Sequence, residues 1–109
     1  MIVFGIHGYP LDHRMWEPLA GLVNAGALGL PARFVAPDLR GRGTSKLRAL
    51  ELHTMARHAG DMAEEIASLP PGERVVLTGL SMGGYVLLEL LRSHRAAIGE
   101  RLADRKSVV

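Results

Sequence analysis

Short apolar runs alternate with helix-like patterns along this chain, and this alternation restricts its fold more than any other feature. Apolar runs at residues 2–6, 32–36 and 74–79 have the length of buried strands. Each run is followed by apolar residues at intervals of three and four, which is typical of amphipathic helices. Strands that alternate with helices form parallel sheets with crossover connections. The sequence therefore predicts one α/β domain, a three-layer parallel sheet with crossover helices.

Three helices are predicted after these strands. The first covers about residues 12–25, with Asp12 as its N-cap and Gly26 as its stop signal. Its apolar stripe consists of Trp16, Leu19, Ala20 and Val23, and we expect Trp16 in the core. The second covers about residues 52–69, and its apolar face consists of Leu52, Met55, Ala56, Ala59, Met62, Ala63, Ile66 and Ala67. The third covers about residues 82–95 and is apolar almost all round, which indicates burial on several sides.

Composition excludes several classes of function. The chain has no cysteine, so disulfides, thiolate metal sites and cysteine nucleophiles are excluded. Thirteen basic and eleven acidic residues give a formal charge of +2, and no basic run interleaves with aromatic residues. No nucleic-acid partner is therefore expected. The apolar start at residues 1–6 is too short for a signal peptide or a membrane span, and nothing later approaches spanning length. We expect a cytoplasmic protein without membrane contact.

Ser81 lies in the segment Gly-Leu-Ser-Met-Gly-Gly, directly after the third apolar run and before the third helix. Gly79 and Gly83, two residues before and after the serine, allow the strand and the helix to approach without side-chain clashes. The helix directs the positive end of its dipole at this turn, and the Met82 N–H can stabilise a developing oxyanion. The pattern predicts that Ser81 occupies the nucleophile position of a strand–turn–helix elbow.

Phosphate binding is the competing interpretation of the glycine-rich segments, and it fails twice. Residues 79–84 have the glycine spacing of a P-loop, but Tyr85 and Val86 replace the required Lys and Ser/Thr. Residues 41–43 open a dinucleotide-binding pattern, but Lys46 stands where the third glycine belongs. The sequence predicts no cofactor and no metal.

Polar or glycine-rich turns follow all three predicted strands, at residues 7–10, 38–45 and 79–84. The carboxyl ends of parallel strands meet at one edge of the sheet, which is where ligands bind in open α/β folds. Together the three turns resemble motifs of the α/β-hydrolase fold family: its His-Gly segment, the loop after its fourth strand and its nucleophile elbow. The similarity covers about residues 1–95, and the esterase, enol-lactonase and cofactor-free haloperoxidase branch is the most similar.

The resemblance implies a fold and a site. Residues 1–109 would be the amino-terminal portion of a single α/β-hydrolase domain with its first strand central, and residues 96–109 a divergent tail. Ser81 would be the acyl-forming nucleophile, with the backbone N–H groups of Tyr9 and Met82 as the oxyanion hole. Support of the elbow and its loops would come from His7, Gly8, Gly79, Gly83, Gly84, Asp38 and Arg40. His7 would order its loop rather than act as a base. Asp38 and Arg40 would hold the loop at residues 38–45 in place beside the elbow.

The other histidines are expected outside the chemistry. His13 could edge the pocket, but solvation is the simpler expectation for a residue near a helix start. His53 and His58 fall off the apolar face of the second helix, and His94 ends the third helix pointing away from the site. All three are predicted to be surface residues.

A base for Ser81 is not evident in the sequence. The family order is Ser, then Asp or Glu, then His. After Ser81 the carboxylates are Glu89, Glu100 and Asp104, and the one histidine is His94. None has a suitable placement, and charged residues stand where a further strand should begin. We therefore expect a fragment, a truncated product or a frame-disrupted tail, whose bare sheet edges could allow self-association.

Two functions remain open at this point. The first is hydrolysis of a small carboxylic ester or lactone through a Ser81 acyl-enzyme. The second is a catalytically incompetent fragment or pseudoenzyme that binds small acyl ligands or a partner. The identity of the substrate and the oligomeric state do not follow from the sequence.

Overall fold

The computed structural model describes residues 1–43 and 54–102. In chain order the elements are β1 (Ile2–Ile6), a 3₁₀ helix (His13–Trp16), α1 (Glu17–Asn24), β2 (Arg33–Val35), α2 (Met55–Ala67), β3 (Val75–Gly79), α3 (Met82–Ile98) and a 3₁₀ turn (Gly99–Arg101). The strands are parallel in the order β2-β1-β3, which confirms the α/β fold with its first strand central. The expectations for Thr44, Ser45, Leu52, His53 and Asp104 concern positions outside the described residues.

Both faces of β1 are covered, because successive side chains of a strand point to opposite faces. Ile2, Phe4 and Ile6 are fully buried and belong to one core cluster with residues of α2 and α3. On the other face, a Cβ added at Gly5 would lie within 3 Å of the Phe34 and Trp16 rings. Trp16 is buried there, as predicted, and its ring centroid lies 5.5 Å from that of Phe34. The sheet therefore forms the middle of three layers.

The second predicted helix is present, but it buries a different face from the predicted one. Thr54 caps the N-terminus of α2 by accepting a hydrogen bond from the Arg57 N–H. The residues that α2 buries are His58, Ala59, Met62 and Ile66. Of the predicted face, Met55, Ala56 and Ala67 are exposed. The prediction that His58 is a surface residue was wrong, because His58, Met62 and Ile66 repeat every four residues and share one inward stripe.

The first helix also departs from its predicted pattern. Asp12 caps a 3₁₀ turn by accepting from the Arg14 N–H, and α1 begins only at Glu17. Gly26 has φ +92° just beyond the helix end, in agreement with its expected role as a stop signal. Leu19 was expected in the buried stripe, but it is exposed, whereas Val23 is buried. The change from 3₁₀ to α geometry after Trp16 breaks the continuous 3.6-residue period on which that stripe was based.

The third helix is longer than predicted. It continues to Ile98 through a kink at His94, which has non-helical φ −125° and ψ 16° and is half-buried rather than a surface residue. The charged pair Glu100–Arg101 lies in the following 3₁₀ turn, and Leu102 then pairs in parallel with Val75 of β3. The charged residues Glu100 and Arg101 therefore lie before Leu102, which is the residue that pairs with the sheet. Within the two described segments no helix is both long and apolar enough to cross a membrane.

Two leucines of α3 provide a matched test of this packing. Leu90 is fully buried in the core cluster, whereas Leu88 is exposed. We expect Leu90→Ala to lower the free energy of unfolding by about 2–5 kcal/mol, because it leaves a cavity in the core. Leu88→Ala should change it by no more than about 0.5 kcal/mol. Urea denaturation followed by circular dichroism measures both, and equal losses would contradict the described orientation of α3.

Candidate active site

The elbow is a single strained residue between a strand and a helix. Ser81 follows β3 and immediately precedes α3, with φ +55° and ψ −118°. It is the one non-glycine residue with positive φ among those described. Such a conformation costs on the order of 1–3 kcal/mol, and it persists only where the surrounding structure enforces it. The side chain of Ser81 is exposed at the carboxyl edge of the sheet.

Two glycines allow the strand–helix contact that enforces this turn. A Cβ at Gly83 would collide with the carbonyl oxygen of Ile6 and lie 2.5 Å from that of His7. A Cβ at Gly79 would lie 2.6 Å from the carbonyl oxygen of Gly83. The N-terminus of α3 therefore rests directly on the backbone at the end of β1, at a distance that only glycine permits.

His7 connects two of the three turns at the edge of the sheet. Its side chain is fully buried, and its Nε2 accepts a hydrogen bond of 2.9 Å from the Leu39 N–H. Because Nε2 is the acceptor, Nδ1 carries the proton and donates to the Gly8 carbonyl oxygen at 3.0 Å. Both ring nitrogens therefore form hydrogen bonds to backbone groups. This is the arrangement of a residue that orders its loop.

Two residues close to the elbow, Tyr9 and Met82, have backbone N–H groups that donate to no backbone oxygen of the described residues. A Cβ at Gly8 would lie 3.5 Å from the Ser81 Cβ, so the turn after β1 touches the elbow. Tyr9 follows Gly8 in that turn, and Met82 is the first residue of α3. Neither the Tyr9 N–H nor the Met82 N–H donates a backbone hydrogen bond within the described part of the chain. Backbone hydrogen bonding among the described residues thus leaves both N–H groups unused.

Two ion pairs hold the loop after β2. Asp38, which is almost fully buried, accepts from the His13 N–H at 2.7 Å and pairs with its Nδ1 at 2.8 Å. His13 is therefore a half-buried partner of Asp38, and the expectation that it is solvated was wrong. The Arg40 guanidinium donates two hydrogen bonds of 2.7 Å to Asp61 of α2. These hydrogen bonds raise the pKa of Arg40 further, and the loop is held at Asp38 and at Arg40.

A cavity of about 380 Å³ opens beside the elbow. It is lined by Tyr9, His58, Met82 and residues 39–42. The lining includes the two residues with available N–H groups, while Ser81 itself stands just outside it. Sequence reasoning did not identify His58 or Arg42 as cavity residues. The position of Arg42 in a loop after a strand was the available signal, whereas the burial of His58 depends on the rotation of α2.

Two acidic groups of the described residues are considered as partners for Ser81, and both are already paired. Side-chain hydrogen bonds from Arg92 and then Ser93 lower the pKa of Glu89 to about 2, so this carboxylate is charged and already paired. The Asp38–His13 pair has the composition of a base and its carboxylate. His13 lines a separate depression with Asp12, Arg14 and Gly43, and neither member of the pair is among the described residues that line the cavity.

Asp12, His13 and Asp38 bring three metal-ligating atoms within 4.8 Å of one another. Each of these groups has a partner in the protein. Hydrogen bonds from Arg14 hold the pKa of Asp12 well below its usual range, and His13 is bound to Asp38. A cation here would have to displace the Arg14 guanidinium, so the arrangement is explained as a helix cap and a loop anchor.

The comparisons with known proteins agree with this geometry. A model of the alpha/beta hydrolase family matches residues 3–108. The chain therefore belongs to the alpha/beta hydrolase family. It is 34% identical over 82 residues to polyneuridine aldehyde esterase of Rauvolfia serpentina, covering 75% of this chain and 30% of the relative. It is also 34% identical over 102 residues to the AB hydrolase superfamily protein YisY of Bacillus subtilis (strain 168), covering 93% and 35%.

Solved structures give the same result. A thermophilic esterase from Thermogutta terrifontis superposes with a TM-score of 0.70 at 37% identity, covering 87% of this chain and 33% of that one. The crystal structure of polyneuridine aldehyde esterase superposes with a TM-score of 0.72 at 29% identity, covering 94% and 37%. The chain thus spans about a third of the length of the relatives it matches. The family match also extends beyond residue 95, where the sequence had suggested that the similarity ends.

Adjacent glycines of α3 provide a matched test of the elbow contact. We expect Gly83→Ala to lower the free energy of unfolding by at least about 3 kcal/mol, because its Cβ would collide with backbone oxygens that cannot move away. At Gly84 the nearest atom would lie 3.8 Å from an added Cβ, so Gly84→Ala should change stability by less than about 1 kcal/mol. Thermal and urea denaturation measure both variants. A well-folded Gly83→Ala protein of normal stability would refute the close contact.

Proposed function

We propose that Ser81 is the nucleophile of a serine hydrolase that acts on small carboxylic esters or lactones. The observation that carries the proposal is the strained φ of +55° at Ser81, at the N-terminus of α3 and beside two available N–H groups. Strain of this kind at an exposed serine between a strand and a helix is the conformation of a nucleophile elbow. The family membership of the chain supports the same assignment.

The chemistry that this arrangement supports is acyl transfer. The Ser81 hydroxyl would attack the ester carbonyl carbon, and the carbonyl oxygen would gain negative charge. The Tyr9 and Met82 N–H groups would donate to that oxygen, aided by the positive end of the α3 dipole. Collapse of the intermediate would expel the alcohol and leave an acyl group on Ser81, which water would then hydrolyse. Loss of a single oxyanion donor of this kind typically costs about 10²–10³ in rate.

The class of substrate is inferred from the relatives. Polyneuridine aldehyde esterase and the esterase from Thermogutta terrifontis bear names that state action on esters. The cavity beside the elbow has the size of a small acyl or alcohol group and contains both Leu39 and charged side chains.

A second function remains a candidate, a chain that binds small acyl ligands without turnover. It is favoured by the engagement of the neighbouring acid and base groups, since His7 holds backbone and Glu89 is paired with Arg92. A serine without a base is a weak nucleophile. We propose that the described residues position Ser81 but do not activate it.

Labelling with a fluorophosphonate probe tests both statements. We expect slow labelling of the purified chain at Ser81 and faster labelling when imidazole is added as an external base, because the oxyanion donors are in place and the base is not. Ser81→Ala should abolish labelling. Ser93→Ala, on the same helix but paired with Glu89, is the matched control and should label like the wild type. Mass spectrometry of the labelled peptide gives the readout.

Two results would contradict these proposals. Labelling that persists in Ser81→Ala, or none at all even with imidazole, would refute the nucleophile assignment. Rapid labelling together with ester turnover by the purified chain would refute the claim that Ser81 lacks a base.

A further inference from the structure

Arg42 differs from the other charged side chains at the carboxyl edge of the sheet. It is half-buried in the wall of the cavity, and its guanidinium carbon lies 4.5 Å from the centroid of the Tyr9 ring. Stacking on an aromatic face fixes the orientation of a guanidinium but uses none of its five N–H donors. Within residues 1–43 and 54–102 no ion pair or hydrogen bond occupies those donors, whereas Arg40 binds Asp61 with two. Arg42 is therefore oriented but unneutralised.

The part of the cavity wall that the structure describes contains no carboxylate that could neutralise Arg42. Asp38 and Asp61, the acids that hold this loop, are bound to His13 and Arg40. Among the described lining residues, Arg42 therefore places a positive charge on the wall formed by the loop after β2. A planar fork of N–H donors in such a place matches the geometry of a carboxylate.

Tyr9 connects this cation with the proposed chemistry. Its backbone N–H is one of the two donors proposed for the oxyanion, and its ring supports the guanidinium of Arg42. Tyr9, Met82 and Arg42 all line the same cavity, so the proposed oxyanion donors and the cation share one space. A ligand whose ester carbonyl reaches the Tyr9 N–H would extend into the cavity toward Arg42.

We propose that Arg42 binds a carboxylate on the substrate, and that the substrate class is the monoesters of short dicarboxylic acids. In this arrangement the ester group lies at Ser81 and the free carboxylate forms a two-point ion pair with Arg42. The inference rests on the proposed function for its chemistry, but the carboxylate-binding step does not require Ser81 to react.

Binding can therefore be measured separately from catalysis. The probes are monomethyl glutarate and dimethyl glutarate, which differ by one negative charge and one methyl group. They are titrated into the wild-type chain at low salt, and backbone amide shifts are followed by NMR. We expect the monoester to bind at least about tenfold more tightly than the diester, because charge-assisted hydrogen bonds contribute that much. The largest shifts should fall at Tyr9 and at residues 39–42.

Variants of Arg42 provide the decisive comparison. Arg42→Gln should remove the preference for the monoester, and Arg42→Lys should keep only part of it, because Lys lacks the planar fork. Arg95→Gln is the matched control: it removes the same charge about 20 Å along α3 from the elbow and should keep the full preference. Melting temperatures show whether each variant is folded.

The outcomes separate the two proposals. Equal affinity for both esters, no detectable binding of either, or a preference that survives in Arg42→Gln would overturn the role of Arg42. Failure of the fluorophosphonate to label Ser81, with the charge preference intact, would overturn the proposed function and leave the carboxylate site standing. Normal labelling of Ser81 without a preference for the monoester would overturn the role of Arg42 and leave the proposed function standing.

Discussion

The contact between Gly83 and the end of β1 is the constraint on which the rest of this structure depends. The first turn of α3 lies directly against the carbonyl oxygens of Ile6 and His7, where no side chain fits. This contact fixes the helix above the central strand. Because only Leu80 and Ser81 connect β3 to the start of that helix, Ser81 is forced into a conformation that L-amino acids rarely adopt. The exposed hydroxyl is thus a consequence of backbone packing.

Side-chain contacts then bring the remaining turns to the same edge of the sheet. His7 uses one ring nitrogen for its own turn and the other for the loop after β2. Arg40 attaches that loop to α2, and Asp38 attaches it to the 3₁₀ helix through His13. Each anchor consumes a polar group that could otherwise take part in chemistry. These anchors explain why the histidine and acid residues described at this edge serve mainly to hold the loops in place.

The sequence predicted the fold and the strand–turn–helix at Ser81 well, because both depend on local patterns. Three apolar runs in the right spacing gave the strands, and a serine between two glycines after a strand gave the elbow. The patterns failed for side chains whose burial depends on the rotation of a helix or on a change in its geometry. His58 was assigned to the surface because the apolar face of α2 was placed a few positions away from the true one. Leu19 was assigned to the core because the first helix changes its geometry after Trp16.

By itself, the sequence determined the order of strands and helices, the membership in a family and the residue at the elbow, since periodicity and glycine spacing are properties of the chain alone. Only the tertiary structure decided which polar groups are committed to partners and which remain available. Arg40 and Arg42 flank Gly41 and look equivalent in the sequence. Their difference arises because Asp61 of α2 packs against one of them, while the ring of Tyr9 supports the other.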